Sequence, residues 1–281
     1  MTFGTFIDPD DRLKELADPN QKMGIPILGG YRAERDWDAY MGRSRIFDRI
    51  AHRLNQLDIP YEDQCSAKYY FDIVNALRDF NGEFNRVVEV GVFMGGASAI
   101  LGGCVQAFDF DLDLVDIDDR CLHFAYERIR RTHPEAIGRV RMFHGDLPAY
   151  VSNILSHEPA QCIIHHDGDH QFSQVVKDMA SLSYVAEKVH AIIVQDTHLR
   201  GHAKYMNFVD MALYAVFGLD LNYAPIGEAY GEHDFRTSPD QYHGNYFVAG
   251  SPEGFVLPMA MNEFRYPHPS MSLETLQQQA V

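Results

Sequence analysis

The stretch "HHDGDH", His165 to His170, puts three histidines and two acids into six residues, directly after the apolar run "CII". Two kinds of metal chemistry suit it. Clustered histidines could hold a zinc ion that activates water, or carboxylates could hold one hard divalent cation beside a histidine that moves a proton. A second apolar run, "AIIVQD", ends in Asp196. In an open α/β sheet the carboxyl ends of the strands share one edge, and neighbouring strands lie about 4.8 Å apart. Asp167 and Asp196 at adjacent strand tips can therefore share a cation, with substrate oxygens completing its shell.

That placement requires a sheet, and the sequence after Phe80 supplies one. Short apolar runs alternate with helical patterns: "RVVEVG", "LDLVDID", "VRMFHGD", "CIIHH" and "HAIIVQD" read as strands. "GASAILGGCVQAF", "RCLHFAYERIRRTH", "LPAYVSNIL", "SQVVKDMASLSYV" and "YMNFVDMALYAVF" read as the helices between them. Nearly continuous apolar strands alternating with helices mean a parallel sheet covered on both faces. The last two runs, "LDLNYAPI" and "GNYFVAGS", have no helix between them and predict an antiparallel closing hairpin. Upstream, Ile46, Phe47, Ile50, Leu54 and Leu57 recur at helical spacing, as do Tyr70, Ile73, Val74, Leu77 and Phe80. These two helices suit a cap over a site and equally an N-terminal part of the core. Residues 1 to about 35 read as a surface arm. The expected fold is α/β, a Rossmann-like seven-stranded, mostly parallel sheet with a helical N-terminal cap. The expected divisions are 1–80 for arm and cap, 81–258 for the core and 259–281 for the tail.

The junction "VVEVGVFMGGAS" is the most informative of the strand ends. Glu89 and Gly91 close a strand, Gly95 and Gly96 follow, and a helix starts near Ala97. Glycines here permit a tight turn and close approach of a ligand to the backbone. The spacing G-x-x-x-G-G is not the G-x-G-x-x-G of nicotinamide cofactors. The next strand ends in Asp116, with Asp118 beside it, where an acid can accept ribose hydroxyls. The third ends in "HGD", where Asp146 can accept from a base amine. A glycine-rich turn alone is often only a turn; three successive strands each ending in an acid point to a nucleoside-bearing ligand.

These motifs resemble class I S-adenosylmethionine-dependent methyltransferases: "EVGVFMGG" their first motif, "VDID" their second and "HGD" the adenine-contacting turn, over about residues 85 to 250. The resemblance implies that Glu89, Gly91, Gly95 and Ser98 surround the methionine part of S-adenosylmethionine, Asp116 its ribose and Asp146 its adenine. "DGDH…QDT" is similar to a narrower group, the magnesium-dependent O-methyltransferases of antibiotic sugars and the cephalosporin-hydroxylase-like proteins. It implies Asp167 and Asp196 as ligands of Mg2+, with His170 as general base at the third position after Asp167, or Asp169 at the second. Gln195 stands where that group often has Glu or Asp, and its carbonyl can still ligate. In a catechol-type variant Thr197 takes the place of an Asn beside Asp196, so the third ligand stays open between Gln195 and Thr197.

The activity implied is methyl transfer to a hydroxyl of a sugar or glycosylated natural product. A catechol-like phenol is the next acceptor. A metal-dependent hydrolase would need His165 and the histidine pair on one zinc, but Asp167 stands where the H-x-H-x-D-H pattern has its second histidine. A donor-binding protein without catalysis is compatible with Gln195. Asp169 also reads plainly as an acid beside a helix N-terminus.

Composition bounds the partners. The chain has 281 residues, 46% hydrophobic and 23% charged, with 40 acids against 24 Lys and Arg for a net charge of -16. So acidic a surface repels phosphate backbones, and no nucleic-acid partner is expected. No apolar run reaches the roughly 18 residues that span a bilayer, and the N-terminus lacks a basic segment followed by an apolar one. Cys65, Cys104, Cys121 and Cys162 are scattered, as expected of thiols in a reducing cytoplasm. Self-association as a homo-oligomer stays open. His198, Arg200, His202 and Lys204 form a cationic loop that could grip an acidic or sugar substrate, or be simply solvated. The long connection "GEAYGEHDFRTSPDQYHGNY" suits a polyhydroxylated ligand.

Overall fold

The computed structural model describes residues 2–26, 36–59, 65–200, 207–229 and 246–279. Strands are β1 (Thr5–Ile7), β2 (Arg86–Val90), β3 (Asp111–Asp116), β4 (Val140–His144), β5 (Cys162–His166), β6 (Val189–Gln195), β7 (Leu199–Arg200), β8 (Ala224–Ala229), β9 (Tyr246–Phe247) and β10 (Pro252–Pro258). Helices are α1 (Asn20–Met23), α2 (Arg45–Leu57), α3 (Ala67–Asp79), α4 (Gly96–Phe108), α5 (Asp119–Thr132), α6 (Leu147–Tyr150), α7 (Phe172–Leu182), α8 (Val209–Phe217) and α9 (Leu273–Gln278).

The main sheet has eight strands in the order β1-β4-β3-β2-β5-β6-β10-β8. Strands β4, β3, β2, β5 and β6 run parallel, while β10 is antiparallel to both β6 and β8 and forms the closing hairpin. Every residue of β2 and β5 is buried, as central strands covered on both faces require. One face carries Phe47, Ile50, Tyr70, Ile73 and Leu77 from α2 and α3 in a core shared with α4 and α5. The opposite core is built from α6, α7 and α8, with Leu273 of α9 against it. Helices α2 and α3 thus belong to the packed layer. Leu57, the last apolar position expected on α2, is 48% exposed.

Three differences from the sequence reading have physical causes. Thr5–Ile7 pairs antiparallel with β4 and adds an eighth strand, too short for any periodicity to show. The closing strand is "PEGFVLP" rather than "GNYFVAGS", in which, among the described residues, Tyr246–Phe247 pairs with Leu199–Arg200 in a separate ladder. Its Pro, Glu and Gly disguise it: proline is tolerated as a strand's first residue. Gly254 lies where a side chain would meet the Val194 carbonyl at 2.6 Å. Likewise α8 begins at Val209 and β8 at Ala224, each later than its apolar text suggests.

Candidate active site

The tip of β2 is the centre of the site. Gly91 has φ 80°, and a Cβ there would sit 2.2 Å from the Asp167 carbonyl oxygen. The Asp167 backbone N–H donates to Val90 O at 2.8 Å across the same contact. Gly91 therefore lets the loop after β5 cross the strand end, which fixes Asp167. Phe93 also has positive φ, 41°, rare for a bulky residue. It is held there by Asp116, whose Oδ2 accepts from Val92 N at 2.9 Å and Phe93 N at 3.3 Å. Gly95 caps α4 and packs on α5, where a Cβ would be 2.7 Å from Ala125 Cα. Below the loop, the buried Arg128 guanidinium pairs with Asp58 and donates to the Met94 carbonyl.

A cavity of about 540 Å3 opens over this loop, within the range of small-molecule sites. Glu89, Asp116 and Asp146 line it on one side and Asp167, Asp169 and His170 on another. Glu89 is 1% exposed and its Oε2 has no hydrogen-bond partner among the described residues. Burial raises its pKa well above the carboxylate range, opposed by the nearby Ser98 hydroxyl. Ser98 is itself buried, with its Oγ outside hydrogen-bond geometry. Burial also raises Asp116, opposed by the backbone N–H groups of Asp118, Val92 and Phe93. Asp118, by contrast, caps α5 and pairs with Arg120 away from the cavity. Asp146 caps α6 by accepting from Ala149 N at 2.8 Å.

Asp167, His170 and Asp196 offer ligand atoms within 4.8 Å of one another. His166 is level with Val194 in the sheet register, which brings Asp167 beside Gln195 with Asp196 one residue beyond. Asp196 itself has φ 59°, a left-handed turn at the strand tip. His170 Nε2 lies 3.3 Å from Asp167 Oδ1 and 3.0 Å from Asp196 Oδ2, so the imidazole bridges both carboxylates. Burial alone would lower the His170 pKa, but the charges of Asp196 and Asp167 outweigh it and hold it well above the usual value. Burial pushes Asp167 up to about 6, with the hydrogen bond from His170 opposing it and the Asp196 charge adding to it. Burial works against the Asp196 anion too, yet His170 keeps that carboxyl below its ordinary value.

The flanking candidates differ in direction. The Gln195 amide nitrogen, in the orientation that satisfies both groups, donates to Asp167 Oδ1 at 2.8 Å. Half a turn of that amide would present its oxygen to the cluster instead. Thr197 faces away, its hydroxyl donating to the Pro252 carbonyl at 2.8 Å. Asp169 accepts from Gln171 N at 2.9 Å, a turn leading into α7. His202, Lys204 and most of the long connection after Ala229 lie outside the described residues.

Several site residues escape a sequence reading. Cys65 and Tyr70 reach the cavity because α3 packs beside β10 and β8. Glu253, 1% exposed, anchors that approach by accepting from Ser66 N at 2.9 Å, from Glu228 N at 3.1 Å and from the Ser66 hydroxyl. Ile117 lines the cavity yet is 67% exposed, and its position between two acids in "DID" was a usable signal.

No helix among the described residues is long and apolar enough to cross a membrane. No family model matches the chain, and no curated protein does. Among solved structures, the chain is similar to the O-methyltransferase TomG of Streptomyces achromogenes, in complex with SAM, at 14% identity and a TM-score of 0.47, over 79% of this chain and 95% of that one. It is similar to cofactor-bound Rv0187 from MTB at 13% identity and 0.47, over 81% and 97%. The METTL16 methyltransferase domain gives 12% identity and 0.44, over 89% and 92%. All three likenesses are distant.

Proposed function

We propose that the chain is a divalent-metal-dependent O-methyltransferase that moves a methyl group from S-adenosylmethionine to a hydroxyl of a sugar or glycosylated natural product. The observation that carries this reading is one cavity lined both by the buried Glu89, whose Oε2 has no partner among the described residues, with Asp116 and Asp146, and by Asp167 and His170 of the carboxylate–histidine cluster. An orphaned buried carboxyl oxygen is costly unless a ligand supplies its partner. The ammonium of an amino-acid moiety is such a partner, and it would draw Glu89 into its charged form.

The donor set also fits a hard cation. Two carboxylates and one amide oxygen, from Asp167, Asp196 and Gln195, leave positions for water and substrate oxygens, as Mg2+ requires. When bound, the donor supplies an electrophilic methyl group and the ion a charge that lowers the acceptor hydroxyl's pKa. The protein's own contributions follow from its geometry. Asp116 and Asp146 orient the ribose and base ends, and Val92, Met94 and Tyr70 shield the reacting centre from water. His170, whose Nε2 lies 3.3 Å from Asp167 and 3.0 Å from Asp196, would take the acceptor's proton if those carboxylates were shared with a cation instead. Alignment supplies much of the remaining acceleration.

The test is transfer from a methyl-labelled donor to a panel of glycosylated and catecholic hydroxyl compounds. Transfer to oxygen is expected with magnesium, lost with chelator and restored by added Mg2+. Full transfer in excess chelator would remove the metal from the reaction.

A further inference from the structure

The cavity that Asp146 lines also holds a chain of polar groups, two of them buried. His166, 2% exposed, uses its Nε2 to bond Asp178 Oδ2 at 2.9 Å. The other Asp178 oxygen, Oδ1, accepts from Gln174 Nε2 at 2.7 Å. Asp178 is 3% exposed, and both it and Gln174 line the cavity together with Gly145, Asp146 and Leu147. Asp178 and Asp146 are close enough for the Asp146 charge to act on Asp178.

A carboxylate only accepts, so the Gln174 group facing Asp178 must be the NH2. The orientation of this amide is therefore set by chemistry. Its carbonyl oxygen, on the other branch, has no partner among the described residues. Burial raises the Asp178 pKa, and the bonds from His166 and Gln174 pull it back toward the charged form that holds the amide. Gln174 is the third residue of α7 and Asp178 lies four residues on, so the two share one helix face, and His166 fixes the carboxylate from the sheet side.

We infer that Gln174 is a specificity-determining residue of the donor pocket: its carbonyl oxygen accepts one N–H of a purine 6-amino group while Asp146 accepts the other. This rests on the donor reading above and deepens it. Asp178 and His166 act as positioning residues through Gln174. A 6-oxo purine would bring its own acceptor against two acceptors, and a site built to hydrogen-bond one group rejects the analogue lacking it. Discrimination between amino and oxo bases is thus divided between the ends of two elements, α6 and α7.

The experiment is calorimetric titration of S-adenosylhomocysteine and its 6-oxo counterpart, S-inosylhomocysteine, onto the wild type and Gln174→Met. The wild type is expected to prefer the amino form, and Gln174→Met to reduce that preference about tenfold, the worth of one hydrogen bond of about 1.4 kcal/mol. Affinity for the 6-oxo form should be unchanged or improved, which a loss of fold or general packing would not produce. An unchanged preference in Gln174→Met overturns the inference and leaves the donor reading standing. A wild type that binds neither ligand overturns both.

Discussion

Asp167 and Asp196 would repel each other across neighbouring strand tips, and His170 relieves that repulsion from 3.3 and 3.0 Å. Asp169, two residues after Asp167, instead spends its carboxylate on the backbone of Gln171. The two candidates for general base are thus unequal in geometry. His170→Ala is expected to slow single-turnover methyl transfer by about 10²- to 10⁴-fold with donor affinity little changed. Asp169→Ala should disturb the start of α7 and leave the chemical step close to wild type. If His170→Ala turns over normally while Asp169→Ala does not, the role passes to Asp169. If both turn over normally, metal activation alone suffices. Asp116 shows the opposite economy, serving the loop through Val92 and Phe93 while lining the cavity.

At the level of elements, the glycine turn after β2 positions the loop after β5 as much as it leaves open space at the strand end. Gly91→Ala would force a side chain into positive φ, at a cost of about 1–3 kcal/mol. Its Cβ would also collide with the Asp167 backbone. The variant should unfold at lower denaturant and lose cation binding along with stability; wild-type cation affinity would show that Asp167 does not depend on this crossing. The glycines, the strand-end acids and the "HHDGDH" loop were legible in sequence because central strands are continuous apolar runs with abrupt polar ends. The last strand was not, because Pro252, Glu253 and Gly254 break its apolar text, and Glu253 finds its partners in Ser66 and Glu228, distant in sequence. Thr5–Ile7 was hidden by its shortness. The bridging by His170 was likewise unreadable, since Asp167 to His170 is a spacing, whereas contact with Asp196 depends on the register of β5 against β6.

Across the whole molecule, buried ionisable groups make stability depend on pH in opposing directions. His133, 1% exposed at the end of α5, has its pKa lowered to about 4 by burial and then by the Arg53 charge. The unfolded chain takes up that proton below about 6.5 and the folded one only near 4, so His133 makes stability fall as pH drops through this window. Glu253 acts the other way. Burial pushes its folded pKa up to about 7 from 4.5, against the hydrogen bonds from Ser66, so its contribution is full below 4.5 and fades as pH rises to 7. Urea midpoints of the wild type and His133→Gln should therefore converge or cross as pH falls from 6.5 to 4, with the variant losing less. Parallel profiles would show that His133 titrates normally. The central claim, that the cavity over the β2 tip is a methyl-donor pocket, is tested most directly by calorimetric titration of S-adenosylhomocysteine in metal-free buffer. The account predicts micromolar binding to the wild type, weakened about tenfold or more in Glu89→Gln and little altered in Asp196→Asn. A wild type that binds neither S-adenosylhomocysteine nor S-adenosylmethionine, while binding a nicotinamide dinucleotide, would contradict it.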